Sequence, residues 1–200
     1  MAELSGGVTE ASVAESLPIG SGGGFSVIEP TPSYQQGVSG TNDFHAVQYL
    51  TPTDYTQVAP GLNEPEDWTF NPTPSVTSGS GTGRAVPDLA TDADPQTGYL
   101  VYGASAGGLN EYGGTSFVDP QLNAANAVID SYLGYRVGLW NPVLYSAAGT
   151  NVFTQLNAAD TSNDNIYYTG NPGQEYNEGV GLGEPNLAEL AGLFGQQQPA

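Results

Sequence analysis

The sequence predicts an α/β domain, and three stretches carry that expectation. A segment of helical length from Phe117 to Leu133 follows a glycine pair and a Thr-Ser. Tyr99 to Tyr102 reads as a strand, joined to that segment by a hairpin-like turn over Ala104 to Asn110. A second, shorter helical pattern runs from Leu187 to Phe194 near the end of the chain. With 200 residues the chain suits one compact domain, 1–200, and is long enough to bury a core.

In order along the chain, residues 1 to 20 are turn-rich, with a small strand expected around Val8 to Val13. Ser21-Gly22-Gly23-Gly24-Phe25-Ser26 is a bend that lets another element pack against bare backbone. It is not a phosphate loop, because the lysine and the dinucleotide spacing are both missing. Residues 37 to 83 are rich in Gly, Pro, Ser and Thr, interrupted by apolar patches at Phe44 to Leu50 and Trp68 to Phe70. This is longer than an ordinary connection and is expected to be a surface insertion with little regular structure. His45 lies inside it and is expected to be a solvent-exposed loop histidine. Asp88 and Asp92 stand four apart like a paired-carboxylate site. Pro87 and the turn-rich Asp92-Ala93-Asp94-Pro95 argue against a helix that would align them.

The stretch Glu111 to Tyr145 organises the rest. Gly113 and Gly114 permit a sharp turn, and Ser116 follows where a helix would begin, with Asp119 in the first turn and Pro120 early enough to be tolerated. Phe117, Leu122, Ala125, Val128, Ile129, Tyr132 and Leu133 recur at threes and fours, which predicts one face of a buried helix, stopped by Gly134. A serine in that place has two readings. It is either a helix N-cap behind a strand-to-helix turn, or a nucleophile with helix N–H groups and the positive dipole end beside it.

Composition narrows the chemistry. There is no cysteine, which excludes disulfides and thiolate zinc sites. No apolar run approaches membrane-spanning length, and MAELSGGVTEAS lacks a charged-then-apolar signal pattern, so for a secreted protein the targeting segment would lie outside this chain. The 21 acidic residues face only Arg84, Arg136 and His45, for a formal net charge of −19. Acids are at an ordinary level, whereas bases are depleted. Once carboxylates protonate, little positive charge remains to repel itself, so the composition suits low pH; the competing reading is an anionic surface for solubility. Nucleic acid is not an expected partner, because almost nothing is present to neutralise phosphates.

A serine nucleophile needs a base. With no lysine a Ser-Lys dyad is impossible, and the single histidine lies in the expected insertion, away from any triad. Carboxylates remain, or a base supplied from elsewhere. With an ordinary pKa of about 4.3, a carboxylate is a weak base at neutral pH but suits an enzyme working in acid.

These residues resemble one family. Gly113-Gly114-Thr115-Ser116-Phe117-Val118-x-Pro120 is similar to the nucleophile motif of the sedolisins, serine-carboxyl peptidases with a subtilisin-like fold. Gly134-x-Arg136-Val137-Gly138-x-x-Asn141-Pro142-x-Leu144-Tyr145 resembles that family's continuation. The run from Arg84 through Pro87-Asp88 and Asp92-Ala93-Asp94-Pro95 to Thr97-Gly98-Tyr99 is a second match. Ser21 to Ser26 with Pro30-x-Pro32-x-Tyr34-Gln35 is a third. The resemblance implies a subtilisin-like parallel sheet with flanking helices, here partly encoded, and a serine-type endopeptidase acting at acid pH in a secreted, acidic setting. It implies Ser116 as the catalytic nucleophile, Gly22, Gly23, Gly24, Gly114 and Thr115 along the substrate, and a structural role for Asp88 and Asp92. The family's Glu and Asp base pair and its oxyanion aspartic acid lie N-terminal to the glycine segment and have no counterpart here, so the resemblance implies a partner: the N-terminal part of the domain.

The family also holds a calcium ion, and the resemblance carries its five donors onto Gln155, Leu156, Asn171, Gly173 and Glu175, with Asp160 and Asp164 as nearby substitutes. Calcium takes hard anionic oxygens, and Gln155 removes a charge while Glu175 lengthens an arm. Two other readings stand beside the peptidase: a catalytically inactive sedolisin-like binding or surface protein, and an unrelated Gly-, Asn- and Tyr-rich surface or carbohydrate-binding protein.

Overall fold

The described residues form short antiparallel ladders and three α-helices, and one apolar cluster gathers mainly from the helices and the segments beside them. The computed structural model describes residues 23–60, 62–65, 68–93, 97–157 and 172–197. The strand expected at Val8 to Val13, and Gly22, Asp160, Asp164 and Asn171, lie outside the described residues. The strands are β1 (Gly24–Pro30), β2 (Asp43–Pro52), β3 (Tyr55–Ala59), β4 (Leu62–Pro65), β5 (Trp68–Ser80), β6 (Gly83–Val86), β7 (Tyr99–Gly103), β8 (Gly108–Tyr112), β9 (Phe153–Thr154) and β10 (Glu184–Pro185). The helices are α1 (Val118–Leu133), α2 (Asn141–Ser146) and α3 (Leu187–Gly195).

The described strands pair two by two, β1 with β6, β2 with β5, β3 with β4, β7 with β8 and β9 with β10, each antiparallel. The parallel sheet expected from the resemblance is not assembled among the described residues. Parallel neighbours need long crossover connections, whereas β7 turns straight back into β8 through a 3₁₀ turn at Ala104–Ala106.

Residues 37 to 83 correct the expectation of little regular structure. β2 and β5 form the longest ladder described, from Asp43 opposite Ser80 to Pro52 opposite Trp68, with the β3–β4 hairpin beyond it. Thr, Val, Tyr and Phe supply the β propensity. The prolines that obscured it, Pro72 and Pro74, fall where the register shifts between Gln48 and Leu50, so they interrupt little of the ladder. His45 is exposed as expected, but on a strand, with Nδ1 3.0 Å from the Ser78 hydroxyl. The arm leaves and rejoins the body at one point: the Gly81 N–H donates to the Asn42 carbonyl at 2.9 Å.

The core gathers from the C-terminal half. Ile129 of α1, Val143, Leu144 and Tyr145 of α2, Phe153, Tyr176, Leu182, and Leu190 and Phe194 of α3 form one buried cluster with Ala85. Helix α2 buries the consecutive residues Val143, Leu144 and Tyr145, while Pro142 and Ser146 at its ends stay exposed. Helix α3 starts as its sequence requires, with the Asn186 side chain accepting from the Ala188 and Glu189 N–H groups. Beneath the cluster runs a polar strut. The Tyr145 hydroxyl donates to Asp88 Oδ1 at 2.9 Å and accepts from Gln35 Nε2 at 2.7 Å. Gln35, fully buried, also clasps both the N–H and the carbonyl of Ala85. Arg84 closes the strut on Asp88 at 2.5 Å.

Candidate active site

Ser116 sits in a 3₁₀ turn, Thr115–Phe117, that runs directly into α1. The chain enters this turn through Gly114 at φ 110°, a conformation that favours glycine, and the Gly114 N–H donates to the Ala93 carbonyl at 2.6 Å. Neither the turn nor α1 receives a side-chain cap, so the serine hydroxyl is not spent as an N-cap. It is exposed and has no hydrogen-bond partner among the described residues. Asp119 lies in the first turn of α1, and Gly134, at φ 77°, ends the helix as its sequence predicts.

What fixes Ser116 is its neighbour. The Phe117 ring stacks with both Tyr99 and Tyr112, centroids 5.9 and 6.2 Å away, so the β7–β8 hairpin grips the first turn of the helix. The expectation of a buried apolar face on α1 holds for Ile129, but Val128 and Tyr132 are 68% and 80% exposed. The hairpin is similar: Leu100 and Tyr102 on one face and Leu109 on the partner strand are largely exposed.

Of the residues expected along a substrate, Gly23 and Gly24 line an open groove of about 400 Å³ with Phe25, Ser26, Glu29, Arg84 and Val86. Gly23 has no room for a side chain, since a Cβ there would stand 1.7 Å from the Glu178 carbonyl oxygen. Gly114 and Thr115 belong to the Ser116 turn. Asp88 is structural as expected, tied to Arg84 and Tyr145. Asp92 accepts from the Thr97 hydroxyl. Burial raises the Tyr145 and Tyr176 phenols well above the usual tyrosine range, with Asp88 adding to both, so these hydroxyls stay protonated donors.

Of the donors expected for calcium, Gln155, Leu156 and Glu175 line one small cavity with Asn157 and Asn177. Glu175 turns its carboxylate to the Ser39 N–H and hydroxyl, at 3.1 and 3.3 Å. The Leu156 carbonyl receives the Asn177 side-chain amide at 3.3 Å. No cluster of three or more His, Cys, Asp or Glu suited to a metal occurs among the described residues. Asn177 is a residue that reading the sequence missed; the Asn-x-Gly spacing of Asn177 and Gly179, an Asx-turn signal, would have pointed to it.

Comparison with known proteins places this strand–turn–helix order in a wider fold. Pseudomonas sedolisin, a serine-carboxyl proteinase solved in complex with two molecules of pseudo-iodotyrostatin, superposes with a TM-score of 0.51 over 85% of this chain and 35% of its own, at 22% identity, a likeness of fold. Kumamolisin from Bacillus sp. (strain MN-32) is 38% identical over 133 residues, 64% of this chain. Over that matched part the chain is a homologue of kumamolisin, and it spans about 24% of the length of that curated relative. No family model matches it.

Proposed function

We propose that this chain carries the nucleophile of a serine-type endopeptidase acting at acid pH outside the cell. The observation that supports this best is the exposed Ser116 hydroxyl, uncapped, on a glycine turn at the head of α1, in a chain 38% identical to kumamolisin over its matched part. In this reading Ser116 Oγ attacks the peptide carbonyl carbon while a carboxylate takes its proton. The developing oxyanion is stabilised beside the first-turn N–H groups, and the leaving amine departs with a proton. Water then releases the acyl group by the reverse proton path. The groove at Gly23 and Gly24 holds the peptide.

The acids come from a partner, the N-terminal part of such a domain. The exposed apolar residues Leu100, Tyr102 and Leu109 on the hairpin, and Val128 and Tyr132 on α1, support this. A ribbon apolar on its outer surface is suited to being covered, and a two-stranded hairpin gains stability from such a cover. No carboxylate bonds Ser116 among the described residues. That same fact favours the second reading, an inactive sedolisin-like binding or surface protein.

Co-expression with the N-terminal portion of a sedolisin catalytic domain separates the two. Peptide cleavage at acid pH that disappears in Ser116→Ala supports the peptidase. A stable complex with no cleavage points to the binding protein.

A further inference from the structure

Residues 155–157 and 175–183 are joined by a side-chain amide, beside residues to which the resemblance gives a cation. Asn177 is 2% exposed, and all the polar atoms of its carboxamide are satisfied. Its Nδ2 donates to the Leu156 carbonyl and to Asn157 Oδ1, both at 3.3 Å, and its Oδ1 accepts from the Gly179 and Val180 N–H groups at 2.9 and 2.8 Å. Its backbone exchanges two further bonds with Gly181, at 3.0 and 2.8 Å. The polarity is the reverse of a metal ligand. A cation draws oxygens inward, whereas here N–H hydrogens face the carbonyl that would have been a donor. The nearest acid of the expected set, Glu175, is held by Ser39 instead.

We propose that Asn177 replaces the cation: residues 155–157 and 175–183 are fastened by a neutral carboxamide, and their fold is independent of calcium. The chemistry fits acid conditions. Carboxylate ligands take up protons and release a metal as pH falls, whereas an amide does not titrate in that range. Neither Gln155 nor Asn177 carries a charge to lose.

The test is thermal unfolding of the full chain at acid and neutral pH, in millimolar calcium chloride and in excess chelator. Coincident midpoints, with no heat of calcium binding by titration calorimetry, are expected. A midpoint that rises with calcium would overturn the proposal, whichever residues hold the ion. As a positive control for the probe, the double variant Gln155→Asp/Asn177→Asp is expected to make the midpoint calcium-dependent. Asn177→Leu, close in size but unable to make the four side-chain bonds, is expected to lower the midpoint by ~5 °C or more in calcium and in chelator alike. An Asn177→Leu chain as stable as the parent would sink the fastening role.

Discussion

At the scale of single residues, two hydroxyls have opposite fates. The Ser116 hydroxyl holds up nothing, so Ser116→Ala is expected to leave stability within ~0.5 kcal/mol by urea unfolding while abolishing any peptidase activity of the reconstituted domain. The Tyr145 hydroxyl is a strut between Gln35 and Asp88. Tyr145→Phe removes one bond from each partner, leaving Gln35 on Ala85 and Asp88 on Arg84, and is expected to cost about 1 kcal/mol in the same assay. Tyr145 and Tyr176 also set an alkaline limit. Their folded pKa values are raised, so the stability they contribute is fully present below the ordinary tyrosine pKa of about 10 and is lost as pH rises above it. Unfolding monitored against pH is expected to show this loss on the alkaline side, with no contribution from these phenols on acidification.

At the scale of elements, the arm from β2 to β5 and the glycine segment make contrasting predictions. The arm's ends meet where Gly81 bonds Asn42, and the buried core cluster draws no residue from positions 43–80. Replacing those positions by a short turn is expected to leave the unfolding midpoint within a few degrees, the loss being the Phe44 ring against Phe25. Gly23→Ala, a single methyl, is expected to do more damage. It drives Cβ into the Glu178 carbonyl and forces backbone apart, a cost of about 1–3 kcal/mol as overpacking, read as a fall in midpoint. These elements also show what the sequence made legible. Helices α1 and α3, with their Gly134 and Asn186 boundaries, and the β7–β8 hairpin are local, each fixed by periodicity or by a cap within a few residues. The arm was missed because its pairing joins Asp43 to Ser80 across prolines that read as loop. The strut of Gln35, Asp88 and Tyr145 was missed for the same reason, since it links residues 50 to 110 positions apart that no short window brings together. For Ser116, periodicity and glycine placement located a turn at the head of a helix and left its role open between N-cap and nucleophile; only the resemblance favoured the nucleophile.

At the scale of the whole molecule, charge and uncovered apolar surface act together. A chain with net charge −19 and only two arginines approaches a small net charge as its carboxylates protonate. It is therefore expected to keep its circular dichroism in acid, where repulsion among many lysines would expand an ordinary protein. The same chain leaves Leu100, Tyr102 and Leu109 uncovered on the β7–β8 hairpin, and Val128 and Tyr132 uncovered further along α1. The hairpin that holds Phe117 is thus also the surface on which a partner would act, and docking there would reach the nucleophile through one aromatic stack.

The most direct test of the central claim is labelling of Ser116 by a serine-reactive phosphonate at acid pH, with the N-terminal part of a sedolisin domain present and the adduct located by mass spectrometry. A single adduct on Ser116 is expected, absent without the partner and absent in Ser116→Ala. A folded complex that takes no label, or takes it at another serine, would contradict it.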